Sequence, residues 1–197
     1  MVAMTPINDV AAVASPVRPR DAAVLLLLYP DATGQPLIPF IRRSLDLRRH
    51  QGQIGLPGGA RDPDDASLLD TARREAWEEL RIEPAAYEVV CHLDPVFTQV
   101  SNFHVYPFVG VAAVRPAFEP DAYEVAELLE VPLALLADPG RWREEVWELS
   151  TGRRLVQYCD FNGHRIWGLT ARILSQFLAA GVQEHVRGAF ERRVRDG

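Results

Sequence analysis

Apolar residues fill positions 22–29 with no polar break, the pattern of a strand buried on both faces. Pro30-Asp31-Ala32-Thr33-Gly34 reads as a turn, and residues 36–43 as the return strand of a hairpin. Residues 44–56 read as a loop with one short extended stretch, closed by Pro57-Gly58-Gly59. The period then changes. Leu69, Ala72, Ala76 and Leu80 form one stripe at helical spacing, which predicts a helix over residues 66–81 with Asp64 or Asp65 as its N-cap. Strands are predicted at 87–93, 103–114 and 125–131, with loops at 98–102 and 116–121. Val131-Pro132-Leu133 opens a short helix ending near Asp138. Residues 145–149 and 155–161 read as a hairpin turning at Thr151-Gly152. An amphipathic helix at 170–180 buries Leu169, Ile173, Leu174 and Phe177, and a charged helix at 183–195 follows.

Mixed strands with packing helices give an α/β class. A chain of 197 residues, 48% hydrophobic and 24% charged, fits one domain over residues 21–197 behind an Ala-, Val- and Pro-rich arm at 1–20. The net charge of −6 disfavours broad binding to nucleic acid or an anionic membrane. No lysine occurs, so all 21 basic side chains are arginine, each able to pair bidentately with phosphate. Cys91 and Cys159 lie far apart and form no metal-spacing motif, as expected of buried thiols in a reducing cytoplasm. Residues 22–29 are too few to span a bilayer, and residues 1–20 lack the pattern of a secretory signal.

Glu75, Glu78 and Glu79 share one face of the predicted helix, next to its apolar stripe. Like charges at this spacing repel, and a solvated acidic face is their ordinary explanation. The preceding Pro-Gly-Gly lets backbone approach closely, which favours instead a hard divalent cation held by oxygen ligands. The stretch PGGARDPDDASLLDTARREAWEELRI resembles the Nudix box, the signature of hydrolases that cleave a nucleoside diphosphate linked to another group. Gly59, Arg74, Glu75, Ala76, Glu78, Glu79 and Ile82 fit that box. The loop carries one extra residue, which leaves Asp65 as an approximate loop acid, and Arg81 stands where the box has its closing glycine. The resemblance implies a Nudix-type α/β/α sandwich with a mixed β-sheet between helices. It also implies Mg²⁺ or Mn²⁺ held by Glu75 and Glu79, then Glu78, with the Gly59 carbonyl completing the set. Arg74 is expected to pair with Glu78 one turn on.

Upstream, RRSLDLRRHQGQIGLPGG spaces Arg43-Ser44, Arg48, Gly52 and Pro57-Gly58-Gly59 at set intervals. This spacing resembles the extra signature of coenzyme A pyrophosphatases, a Nudix subgroup, with Pro39-Phe40-Ile41 and Leu56 departing from it. Arg42, Arg43, Arg48 and Arg49 otherwise read as solubilising charges. The resemblance implies Arg43, Arg48, Gly52 and Gly58 as substrate-binding residues and hydrolysis of CoA or acyl-CoA to 3′,5′-ADP and 4′-phosphopantetheine. In that reaction a divalent cation neutralises diphosphate oxygens and acidifies water. Glu124-Val125 and Ile166–Ala171 resemble later family segments, and Trp167 reads as a core anchor before an adenine platform. The general base is open: Glu124 is preferred, with Glu78, Glu119, His50 and His104 as alternatives. Other readings are a Nudix hydrolase of ADP-ribose, a nucleotide sugar, NADH or a damaged nucleotide, and a non-catalytic Nudix-fold sensor. A small-molecule substrate is expected, with the protein a cytoplasmic monomer or homodimer.

Overall fold

The computed structural model describes residues 18–45, 52–98, 101–149 and 152–196. Arg48, Arg49, His50 and most of the expected N-terminal arm lie outside them. The first strand, β1 (Arg20–Pro30), pairs with β2 (Pro36–Arg43) through the turn at residues 31–34. Asp31 builds that turn by accepting from the N–H groups of Thr33 and Gln35. Two short strands follow, β3 (Ile54–Gly55) on β2 and β4 (Gly58–Ala60) on β1. Next come helix α1 (Leu68–Leu80) and strands β5 (Tyr87–His92), β6 (Val96–Thr98), β7 (Phe103–Ala112) and β8 (Val125–Pro132). The main sheet runs β3-β2-β1-β7-β5, with β4, β6 and β8 attached to β1, β7 and β2. Among the described residues only the β1–β7 pairing is parallel, from Arg20↔Phe103 to Leu28↔Val111, so the sheet is mixed as expected.

The unbroken apolar run of β1 has two customers. Leu25, Leu27 and Tyr29 join Ala76 and Leu80 of α1 in one cluster. Val24, Leu26 and Leu28 join the cluster that holds Ile173, Leu174, Phe177, Val186 and Phe190. Those residues belong to α3 (Gly168–Phe177) and α4 (Ala180–Asp196). Successive side chains of a strand point to opposite faces, so one strand is packed by helices above and below. Truncating a leucine of this run to Ala removes about 2–5 kcal/mol. After β8 comes α2 (Leu133–Leu136), and a second sheet has the order β11-β10-β9: β9 (Trp142–Leu149), β10 (Gly152–Phe161) and β11 (His164–Trp167). Among the described residues, no helix is long and apolar enough to cross a membrane.

Several boundaries differ from expectation. Helix α1 starts at Leu68, and its N-cap is Ser67, whose Oγ accepts from the Asp70 N–H; neither Asp64 nor Asp65 caps it. Arg81 ends the helix in the left-handed conformation at φ 56, a conformation that costs a non-glycine residue about 1–2 kcal/mol. Its N–H bonds back to the Ala76 and Trp77 carbonyls and its guanidinium lies over the Trp77 ring, which offsets part of that strain. Strands β6 and β11 were not expected; three and four residues are too few for a period-2 signal. Strand β9 begins at Trp142 and β10 at Gly152, each three residues before the expected start. Strand β7 stops at Ala112, α3 spans Gly168–Phe177, and α4 begins at Ala180.

Candidate active site

Strand β4 lies between β1 and α1, and two of its residues are glycine for steric reasons. Gly58 pairs with Val24 of β1 at φ 154, and a Cβ there would stand 2.4 Å from the Ala23 carbonyl oxygen. At Gly59 a Cβ would stand 2.5 Å from the Glu75 carboxylate, so that carboxylate rests on bare backbone. Glu79, one turn along α1, is fully buried. The Gly58 N–H donates to its Oε2 at 2.8 Å, and Arg43, at the end of β2, donates Nη1–H to its Oε1 at 3.0 Å. No local pattern links Arg43 to Glu79, 36 positions away.

Arg74 ties the box loop to the box helix. Its Nε and Nη2 both bond Asp65 at 3.0 Å, Nη2 also reaches the Ala60 carbonyl, and Nη1 donates to Glu75 and Glu78 at 2.8 Å each. The expected Arg74–Glu78 pair is therefore present within a larger network. Asp65 also accepts from the Thr71 hydroxyl and the Asp62 N–H. The Arg74 guanidinium and these donors hold its carboxyl well below the usual carboxylate range. The turn at residues 62–65, closed by the Asp65 N–H on the Asp62 carbonyl, takes up the extra loop residue and delivers Asp65 to Arg74.

The loop after β7 reaches the same carboxylates. The N–H groups of Glu119 and Asp121 donate to the Leu80 and Glu79 carbonyls, filling acceptors that a helix end leaves open. The Asp121 carboxylate then accepts from the Tyr123 and Glu124 N–H groups, and Ser44 N–H bonds the Glu124 carbonyl beside Arg43. Asp121 was not among the expected site residues; Asp121-Ala122-Tyr123-Glu124 carries the turn chemistry that could have revealed it. The negative charge of Glu124 is among the causes that raise Glu75 and Glu79, which puts it within electrostatic reach of the box carboxylates. Glu119 instead lines a hollow of about 250 Å³ with Trp77, Arg81 and Glu83, beyond the end of α1. His104 packs edge-on against Phe97 in the β6–β7 pair. Gly52, at φ 65, donates its N–H to the Arg43 carbonyl. Trp167, half-buried, packs edge-on against the half-buried Trp147 in the second sheet.

Burial pushes the Glu79 carboxyl up to about 8, with Arg43 and the Gly58 N–H pulling down and Glu75 and Glu124 pushing up. Burial also raises Glu75. Among the described residues, no three acidic, imidazole or thiol side chains converge as a formed metal cluster; the box carboxylates are turned onto Arg43 and Arg74. The donor set nevertheless suits a hard divalent cation. Its groups are oxygens, the glycine beneath Glu75 leaves room, and mutual repulsion of Glu75, Glu79 and Glu124 favours a cation.

A pH effect on stability follows. The ordinary glutamate pKa of 4.5 rises to about 8 at Glu79, so between these values the folded protein holds a proton that the unfolded chain has released. Its stabilising contribution is complete below 4.5 and is lost as pH rises through 8. In chelator, the Tm of the wild type minus that of Glu79→Gln should therefore fall from pH 5 to pH 8. A flat difference would refute the buried-carboxylate assignment. Added Mg²⁺ should stabilise most at the alkaline end, because it binds the ionised carboxylate.

Comparison with known proteins places this geometry. The NUDIX domain model matches residues 18–150. The chain is 41% identical over 157 residues to the uncharacterized Nudix hydrolase NudL of Pectobacterium atrosepticum, covering 80% of each chain. It is 37% identical over 166 residues to the protein of the same name from Salmonella paratyphi B, covering 83% of this chain and 84% of that one. Among solved structures, RenU, a Nudix hydrolase from M. smegmatis, aligns with a TM-score of 0.52 at 24% identity over 63% of this chain and 80% of that chain. A MutT/nudix family protein from Enterococcus faecalis aligns with the same score at 14% identity, over 88% of this chain and 70% of that one. These two share the fold. Nudix hydrolases generally use divalent metal ions. The chain thus belongs to the Nudix hydrolase family and is an enzyme that hydrolyses pyrophosphate bonds.

Proposed function

We propose that this Nudix hydrolase cleaves the diphosphate of coenzyme A or acyl-CoA, releasing 3′,5′-ADP and (acyl-)4′-phosphopantetheine. One observation carries this reading. Arg43 and Gly58, from the two ends of the upstream signature, donate to the two oxygens of one box carboxylate, Glu79. The pattern that resembles a CoA signature and the pattern of the Nudix box thus meet at a single atom pair. Ordinary solubilising arginines would face solvent; Arg43 points to the reacting centre.

Glu75 and Glu79 would hold Mg²⁺ or Mn²⁺, with Glu78 as third ligand and the Gly59 carbonyl beside Glu75. When bound, the cation would neutralise the diphosphate oxygens and acidify the attacking water. Asp65 and Arg74 fix the rotamers of Glu75 and Glu78 through the network described above. Glu124, whose backbone is held by the Asp121 turn and whose charge acts on Glu75 and Glu79, is the preferred general base. Arg43 and Arg48 would bind substrate phosphates, as planar forks suited to paired oxygens. The enzyme is proposed to act in the cytoplasm on this small-molecule substrate.

Product analysis with CoA, acyl-CoA, ADP-ribose and NADH, each with Mg²⁺ or Mn²⁺ and with excess chelator, tests the reading. CoA or an acyl-CoA should have the highest kcat/KM, and chelator should abolish turnover. Faster hydrolysis of ADP-ribose or NADH would overturn the substrate, and full turnover in chelator would overturn the metal.

A second measurement concerns the arginines. Replacing Arg43 or Arg48 with Ala should lower kcat/KM by roughly 10- to 150-fold, the worth of one charged hydrogen-bonding contact of about 1.5–3 kcal/mol. Lys should rescue only in part. Dephospho-CoA, which lacks the 3′-phosphate, separates the roles. An arginine that reads that phosphate loses its preference for CoA over dephospho-CoA when replaced. Arginines that bind the diphosphate impair both substrates equally. Unchanged kinetics on both would make the upstream motif structural.

A further inference from the structure

Arg43 and Arg74 are almost equally exposed, at 27% and 28% of their side chains, yet they are held very differently. Arg74 is fastened by both oxygens of Asp65, the Ala60 carbonyl, Glu75 and Glu78. Arg43 meets Glu79 through a single contact, Nη1 to Oε1. The other oxygen of Glu79 is taken by the Gly58 N–H, which is fixed in the β4 backbone and cannot leave without breaking the strand. Of the two oxygens, Oε1 is the one whose donor is a side chain that can move aside, so a divalent cation on Glu79 meets least obstruction there. Two positive charges also repel at that spacing in a buried site.

We propose that Arg43 and the divalent cation compete for Oε1 of Glu79, so that cation loading releases the Arg43 guanidinium toward the substrate's phosphates. This rests on the reading of the site as a metal-dependent diphosphatase. Arg43 is thus a positioning residue for Glu79 before it is a substrate ligand. The coupling is reciprocal: a phosphate that draws Arg43 away frees Oε1 and tightens the cation. An enzyme built this way withholds its arginine from phosphate until the cation is in place, which gives an ordered, cation-first assembly. Asp65 explains why the second arginine takes no part: its bidentate hold keeps Arg74 where it is.

The test uses the full wild-type chain without substrate. Phenylglyoxal, which modifies accessible guanidinium groups, is applied with and without saturating Mg²⁺, and the labelled peptides are quantified by mass spectrometry. Labelling of Arg43 should rise several-fold with Mg²⁺, while Arg74 stays at its metal-free rate. Calorimetry supplies a second readout. At pH 9, where protons compete least for the carboxylate, Arg43→Ala should bind Mg²⁺ about 10-fold tighter than wild type, the lower end for one charged contact. The same variant should lose kcat/KM, so its two effects have opposite signs. If Mg²⁺ binds the wild type but Arg43 labelling is unchanged, competition is refuted and the metal site stands. If the wild type binds no Mg²⁺ at all, the metal-dependent reading falls and the competition with it. Weaker Mg²⁺ binding by folded Arg43→Ala would make Arg43 a support of the ligand and overturn the proposal.

Discussion

Glu79→Gln should lower kcat/KM by roughly 10² or more and leave the protein folded. Both carboxylate oxygens of Glu79 accept hydrogen bonds, from the Gly58 N–H and from Arg43 Nη1–H. Glutamine has one carbonyl oxygen and one amide nitrogen, so either rotamer turns an N–H₂ toward a donor. The change also removes the negative charge that a cation needs. The fold survives because Glu79 is already raised to about 8, so near neutral pH a buried neutral amide replaces a carboxyl that is largely protonated without a cation. Circular dichroism melts and kcat/KM at limiting Mg²⁺ check both halves. Near-normal turnover by a folded Glu79→Gln enzyme would remove Glu79 from the site, and Glu75→Gln should behave as Glu79→Gln does.

The adjacent glycines should part company. In Gly58→Ala the new methyl would lie 2.4 Å from the Ala23 carbonyl oxygen and 2.6 Å from Val24 Cα, backbone atoms of the central strand that have nowhere to go. Its φ of 154 is a further strain for any L side chain. Overpacking and backbone strain together should cost about 3 kcal/mol or more, or a Tm lower by roughly 6–12 °C. In Gly59→Ala the clash is with the tip of Glu75, a side chain that can swing aside. That variant should melt near the wild type but turn over slowly, because a carboxylate proposed to hold the cation is displaced. Equal Tm values for Gly58→Ala and wild type, or full activity in Gly59→Ala, would contradict this account of β4.

The parts of this arrangement that were legible in the sequence are those with a local cause. The β1–β2 hairpin announced itself by an apolar run, a turn and a second run, and α1 by its stripe. Its start was misplaced because Asp65 looks like a cap in one dimension, whereas in three it has a better partner in Arg74. The box carboxylates were legible as a set because their spacing is helical. The Arg43–Glu79 contact was not, since the residues are 36 positions apart and meet only through the order β2-β1 of the sheet and the packing of α1 upon it. Glu124 was reached by resemblance, but the reason it stands where it does, Asp121 bonded to the Glu79 carbonyl, is a backbone contact that no side-chain pattern encodes. Arg48 and His50 lie outside the described residues, so for them the sequence reading stands by itself.

The bonds from Glu119 and Asp121 to the last carbonyls of α1 also bear on how freely their loop can move. Swinging this loop outward would break both bonds together and leave the Leu80 and Glu79 carbonyls to water, at roughly 0.5–1.5 kcal/mol for each bond. The box helix and the wall bearing Glu124 are therefore tied together at two backbone points. Amide exchange at Glu119 and Asp121 should accordingly keep pace with α1, slower than in a free surface loop.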